Sequence, residues 1–298
     1  MNPLPNAFSL YDFLGYLIPG GIFLVGFHLI PLPCFYEMHY FQAFSCLCSA
    51  QWTESLSSIA VFLTFGYMTG HALSYVSSMT VEKYSVWTIG YPSKYLLEEN
   101  IRPSWKAGTK LYFADYFFPS FVKFQSGLNI QRWQIFVQRL IVFLIMIPYV
   151  FPILVLVFLI GLNESIRKVL PYDFAILIQS RTQLFIRQQK KYGETYDLTS
   201  GESFRFLYHY TLERFNVHVV KMQNYVALYG FCRTISLINV LFFWWFSYTQ
   251  RSCIWSLKYF LALVILSGLS SLFYLAFNKF FRKFSLECYM AIVTNLEY

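Results

Sequence analysis

The chain of 298 residues is 57% hydrophobic, 21% aromatic and only 13% charged, with a mean hydropathy of +0.46. A soluble domain carries roughly 25% charged residues, so this composition excludes an ordinary soluble protein, which could not cover its surface with so little charge. The net charge of +8, from 23 Lys and Arg against 15 Asp and Glu, sits on residues that flank apolar segments. It therefore points to membrane topology and anionic lipid rather than to nucleic acid.

The opening residues, MNPLPNAFSLYD, contain no Lys or Arg and no small-residue cleavage site. The first apolar segment, Leu10 to about Ile30, is thus expected to be kept as a span. It is long enough to cross, at roughly 31 Å for a rise of 1.5 Å per residue. Pro19, Gly20 and Gly21 lie in its middle. Proline removes a backbone hydrogen bond, which makes this triplet a candidate hinge or close helix contact. Pro31 to Glu54 forms a loop without Lys or Arg. Its Cys34, Cys46 and Cys48 are disulfide candidates, since their spacing is not that of a zinc site.

The second span, about Ser57 to Ser77, carries Gly66 and Gly70 four apart, a spacing that lets another helix approach closely. His71 lies beside that face and reads as a buried, hydrogen-bonded histidine. Residues 78–134 are basic, rich in Trp and Tyr, and interrupted by proline, as expected of an interfacial or cytoplasmic segment. Leu140 to Leu162 is uncharged but holds Pro148 and Pro152 at its centre, in IPYVFP. It can cross once, or those prolines can mark the tip of a re-entrant hairpin. From Pro171 to Lys191 an amphipathic helix is predicted, with Phe174, Ile178 and Leu184 as its apolar positions. A long helix then leads without proline into a fourth span, Thr234 to Gln250. A fifth runs from about Trp255 to Phe277 and is stopped by Asn278, Lys279, Arg282 and Lys283.

Charge favours the hairpin. With it, about nineteen Lys and Arg share one side and about two the other. The expected fold is thus all-α and polytopic, with four to five spans, a re-entrant or kinked stretch, and cytoplasmic amphipathic helices. Residues 1–77 hold two spans and a short extracytoplasmic loop, and 78–134 the cytoplasmic segment. The hairpin or third span occupies 135–162, a cytoplasmic helical region 163–233, and the last two spans and tail 234–298. Both termini are expected in the cytoplasm.

No phosphate-binding glycine loop, nucleophile elbow or HExxH helix occurs. Arg205 and His209, like Arg214 and His218, are four apart and simply neighbours on a helix. Paired carboxylates suited to lipid chemistry are missing as well. The expectation is a non-enzymatic protein without cofactor or metal. The intramembrane polar candidates are Asp12, His71, Arg139 and Arg233, since a buried arginine needs a partner or must snorkel. A pair between either of these arginines and Asp12 would define an internal polar site.

Two stretches, YDFLGYLIPGG from Tyr11 and MQNYVALYGFCRTISL from Met222, resemble uncharacterised bacterial multi-pass membrane proteins. The resemblance implies the bacterial inner membrane and a membrane effector in phage defence or stress. The expected role is an effector or scaffold that self-associates and can form a pore, in contact with the bilayer and a cytoplasmic protein partner. A small transporter or channel is the alternative.

Overall fold

The computed structural model describes residues 10–29, 56–97, 129–160, 170–189, 201–249 and 257–295. Among these every regular element is helical. Helix α1 comprises Leu10–Asp12, a π-helical turn Phe13–Leu17, and Ile18–Leu29. Helix α2 is Leu56–Ser77, continued by a second π-turn, Ser78–Glu82, and by Lys83–Thr88. Then follow α3 (Pro92–Tyr95), α4 (Asn129–Ile160), α5 (Tyr172–Gln189), α6 (Gly201–Arg214), α7 (Asn216–Thr249) and α8 (Leu257–Asn295). Four stretches are long and apolar enough to cross a bilayer: Ile59–Tyr95, Trp133–Ile153, Val217–Thr249 and Leu257–Thr294. A shorter apolar helix covers Phe13–Phe27.

The turn expected at IPYVFP is not formed. Pro148 and Pro152 both lie inside the continuous helix α4. Two prolines four apart stack on one helical face, and the backbone groups they free can be satisfied from a neighbouring helix. Nor does the last helix stop at Asn278, because α8 runs through Lys279, Arg282 and Lys283 to Asn295. Lysine and arginine are good helix formers, so charge there need not end the helix.

The chain forms two compact units. The first holds Met1–Glu82, Ile145–Leu156 and Ala227–Phe277, and the second Lys83–Leu144, Val157–Val226 and Asn278–Tyr298. By sequence, the second contains 20 of the 23 Lys and Arg and 11 of the 15 Asp and Glu, a net +9. The first has 3 and 4, a net −1.

In the first unit α1 lies on α2 backbone to backbone. A Cβ on Gly20 would fall on the Gly66 carbonyl oxygen and the Gly70 nitrogen, and one on Gly70 on the Tyr16 carbonyl. Gly66 itself is less tightly held: its Cβ would stand 3.6 Å from the Gly21 nitrogen, ordinary contact. Close approach thus depends on Gly20 and Gly70, while Gly66 contributes chiefly its carbonyl. Antiparallel α7 and α8 are joined by a reciprocal pair, Ser236 Oγ donating to the Ser270 carbonyl and Ser270 Oγ to the Ser236 carbonyl, each at 3.0 Å.

In the second unit, buried Leu96, Leu97, Ile178, Phe185, Leu207 and Tyr289 form an apolar centre. Helix α5 buries Ala175, Ile178, Thr182 and Phe185, whereas Leu184 is 53% exposed. The stripe expected through Leu184 is therefore shifted by one residue, which puts the larger Phe185 inside. Gln179 Nε2 donates to the Leu97 carbonyl at 2.7 Å, and the Tyr289 hydroxyl to the Ser93 carbonyl at 2.8 Å.

Candidate functional site

Arg233 sits halfway along α7 and is only 7% exposed. A guanidinium out of water must have its donors occupied. Its Nε donates to Ser77 Oγ at 3.0 Å, and Nη2 to the Ser74 carbonyl and Oγ at 3.3 Å each. Nη1 makes an ion pair with Glu82. Ser77 Oγ also donates to the Ser74 carbonyl at 2.8 Å and lies 3.4 Å from Thr234 Oγ1. The ion-pair partner is therefore Glu82 rather than the expected Asp12.

Local backbone geometry explains why Glu82 reaches. Ser74 and Ser77 are three apart and share a face, but Glu82 is five beyond Ser77. On an α-helix five residues turn roughly 140° past a full revolution, because each residue adds roughly 100°. The π-turn Ser78–Glu82 closes at i+5 and brings the carboxylate back onto the serine face.

A second polar group stands on α1 and α2. The Tyr16 hydroxyl donates to the Tyr11 hydroxyl at 3.2 Å, and the Tyr16 ring stacks on His71 with centroids 3.7 Å apart. Tyr67 meets His71 edge-on at 4.5 Å. His71 is itself exposed, not buried as expected. It gains ring contacts instead of an enclosed hydrogen bond. The Tyr11 ring would touch a Cβ on Gly230 at 3.6 Å. The stretches beginning at Tyr11 and Met222 therefore pack against each other, one turn of α7 before Arg233. Asp12, half-buried, lies in the same helix as Tyr11 and Tyr16. The π-turn Phe13–Leu17 just precedes Pro19, whose ring would strike the Gly15 carbonyl in a regular helix. Widening that turn lets the helix continue through Pro19.

The prolines of α4 are answered by α8. Pro152 has no N–H to offer the Pro148 carbonyl, and that oxygen accepts from Ser267 Oγ. Ser271 Oγ donates to the Tyr149 carbonyl at 3.2 Å, and Trp244 Nε1 to the Ile145 carbonyl at 2.8 Å. Ser267→Ala should therefore destabilise the first unit by about 0.5–1.5 kcal/mol, the range for hydrogen bonds between spanning helices. In a Pro152→Ala background, where the intrahelical bond returns, the same change should cost almost nothing. Thermal melts of the four proteins close that cycle, and equal losses in both backgrounds would disprove the pairing.

In the second unit, Arg139 is buried, with its guanidinium carbon 5.0 Å from the Trp87 ring centroid. His218 bonds Glu287 at 2.8 Å, and Arg214 lies over Tyr210. Arg214 and His218 thus engage Tyr210 and Glu287 respectively. Cys34, Cys46 and Cys48 lie outside the described residues. Within the described residues, no three His, Cys, Asp or Glu side chains come together as metal ligands.

Sequence reasoning singled out Arg233 but missed Glu82, Ser74 and Ser77. The signal was present as a carboxylate and two small hydroxyls on an apolar helix already marked by glycines. The i+5 offset hid it.

The four long apolar helices and the charged cluster held among their polar side chains define an integral, multi-pass, all-α membrane protein. Comparison with protein families, curated proteins and solved structures finds no match.

Proposed function

We propose that this chain is a non-enzymatic effector or scaffold of the bacterial inner membrane, self-associating and able to form a pore. In this reading its basic second unit faces the cytoplasm, with both termini, and receives a protein partner. The observation that supports it is α7. This uninterrupted helix of 34 residues begins among the polar contacts of the second unit and carries Arg233 in the polar cluster of the first. A helix that length is a rod of roughly 51 Å, and a rod can pass a displacement at one end to a charge at the other.

Topology is the first check. In this reading the segments before and after α4, linked by the hydrogen bond from Gln179 to Leu97, share one side of the bilayer, so α4, although long enough to cross, enters it without crossing. Single cysteines replacing exposed Lys94 and Gln183 should label from the same side in a chain depleted of its own cysteines. Labelling from opposite sides would refute the arrangement. For the effector role, inducible expression should depolarise the cell membrane. Val226→Pro, which breaks α7 where the units divide, should abolish depolarisation without changing the labelling. If the wild-type protein leaves the potential intact and no protein co-purifies with it, the reading fails.

A transporter or channel is the second reading. It draws on the polar groups of α1, α2 and α7, since ionisable side chains within spans mark conduction paths. Saturable solute flux in proteoliposomes that is lost with Glu82→Gln would favour it.

A further inference from the structure

We propose that Lys279 and Lys283 of α8, backed by Tyr225 of α7, form a binding surface for the headgroup of an anionic phospholipid.

The residues of α8 before Asn278 are uncharged apart from Lys258, after which Lys279, Arg282 and Lys283 fall within five residues. Lys279 and Lys283 are one turn apart and both exposed. Two ammonium groups at i and i+4 repel each other, and an anion beside the pair relieves that repulsion. The carboxylate on the next turn of that stripe, Glu287, is already engaged by His218 at 2.8 Å and Lys221 at 3.6 Å. Among the described residues, neither Lys279 nor Lys283 has a carboxylate in ion-pair contact. The Lys283 ammonium lies 5.7 Å from the centroid of the Tyr225 ring, a cation–π contact that holds it in place without neutralising it. In the sequence these lysines follow residues 259–278, which carry no charge, a run long enough to cross a hydrocarbon core. Two uncompensated cations at the end of such a run stand where the phosphates of anionic lipids lie. A free anion would use the same lysines, and inorganic phosphate distinguishes it in the test.

The test uses the full-length chain in a neutral detergent, melted with added dioleoylphosphatidylglycerol or dioleoylphosphatidylcholine. Each lysine near an anionic surface contributes about a five-fold preference, so the wild-type protein should favour the glycerol lipid by about thirty-fold in apparent affinity. Lys279→Gln with Lys283→Gln should reduce that ratio to about one. Lys94→Gln, an exposed lysine elsewhere in the second unit, should leave it unchanged. Equal stabilisation of the wild-type protein by the two lipids overturns the proposal, as does a preference that survives the double change. A matching loss in Lys94→Gln would show diffuse charge rather than a site. If millimolar inorganic phosphate alone reproduces the stabilisation, the surface takes a free anion and not a lipid.

Discussion

Replacing Arg233 with alanine is expected to lower the stability of the first unit by about 3 kcal/mol. Breaking a buried ion pair by removing one partner costs about 3–5 kcal/mol. The lower end applies because the Glu82 side chain keeps 28% exposure and can recover some hydration, whereas that of Arg233 keeps 9%. The loss has two parts. Glu82 is left charged without a counterion, and Ser77 and Ser74 lose the guanidinium that their oxygens accept from. Arg233→Lys should recover only part of this, since one ammonium cannot reproduce the planar fork that meets three groups at once. Replacing both charges with apolar residues of similar size, Arg233→Met with Glu82→Leu, should restore most of the stability. Denaturant titration of the four proteins in detergent measures each step. If Arg233→Ala lies within about 0.5 kcal/mol of wild type, the pair does not hold these helices.

The second large effect concerns the glycines of α1 and α2. Gly20→Ala and Gly70→Ala should each cost about 2–3 kcal/mol, because the added methyl meets backbone that cannot rotate aside. Separating the two helices is the only relief, and it would also undo the stacking of Tyr16 on His71. Gly66→Ala should be neutral or mildly stabilising. Its methyl has ordinary contact distance, and alanine is about 1 kcal/mol better than glycine inside a helix. The three melts rank the positions directly. A loss at Gly66 as large as that at Gly70 would contradict the packing described.

Much of the architecture was legible from composition alone. Apolar stretches of spanning length are required to be helical, because lipid offers no partner for a bare backbone group. That reasoning placed α1, α2, α4, α7 and α8. It misjudged IPYVFP because proline's cost was weighed within one helix, whereas the compensating donor, Ser267, lies more than a hundred residues away. The spacing of Ser267, Ser270 and Ser271 does place three hydroxyls on one face of α8. Without knowing that α4 faces them, however, they read as small packing residues. The candidate site was half legible. An arginine in a span demands a partner, so Arg233 stood out, but choosing between Asp12 and Glu82 requires knowing that α2 changes pitch after Ser77. Nothing in SMTVE announces a π-turn, which is stabilised by the ion pair it permits.

A π-turn is how a helix accommodates one residue too many. Residues 78–82 therefore behave as a regular helix bearing a one-residue insertion that the wider turn absorbs. Deleting Met79, whose side chain is 42% exposed, would leave Glu82 four residues from Ser77 at normal pitch, still on the serine face. The ion pair of Arg233 with Glu82 should survive that deletion, whereas one residue removed from a regular turn of α2 would swing the carboxylate away by roughly 100°.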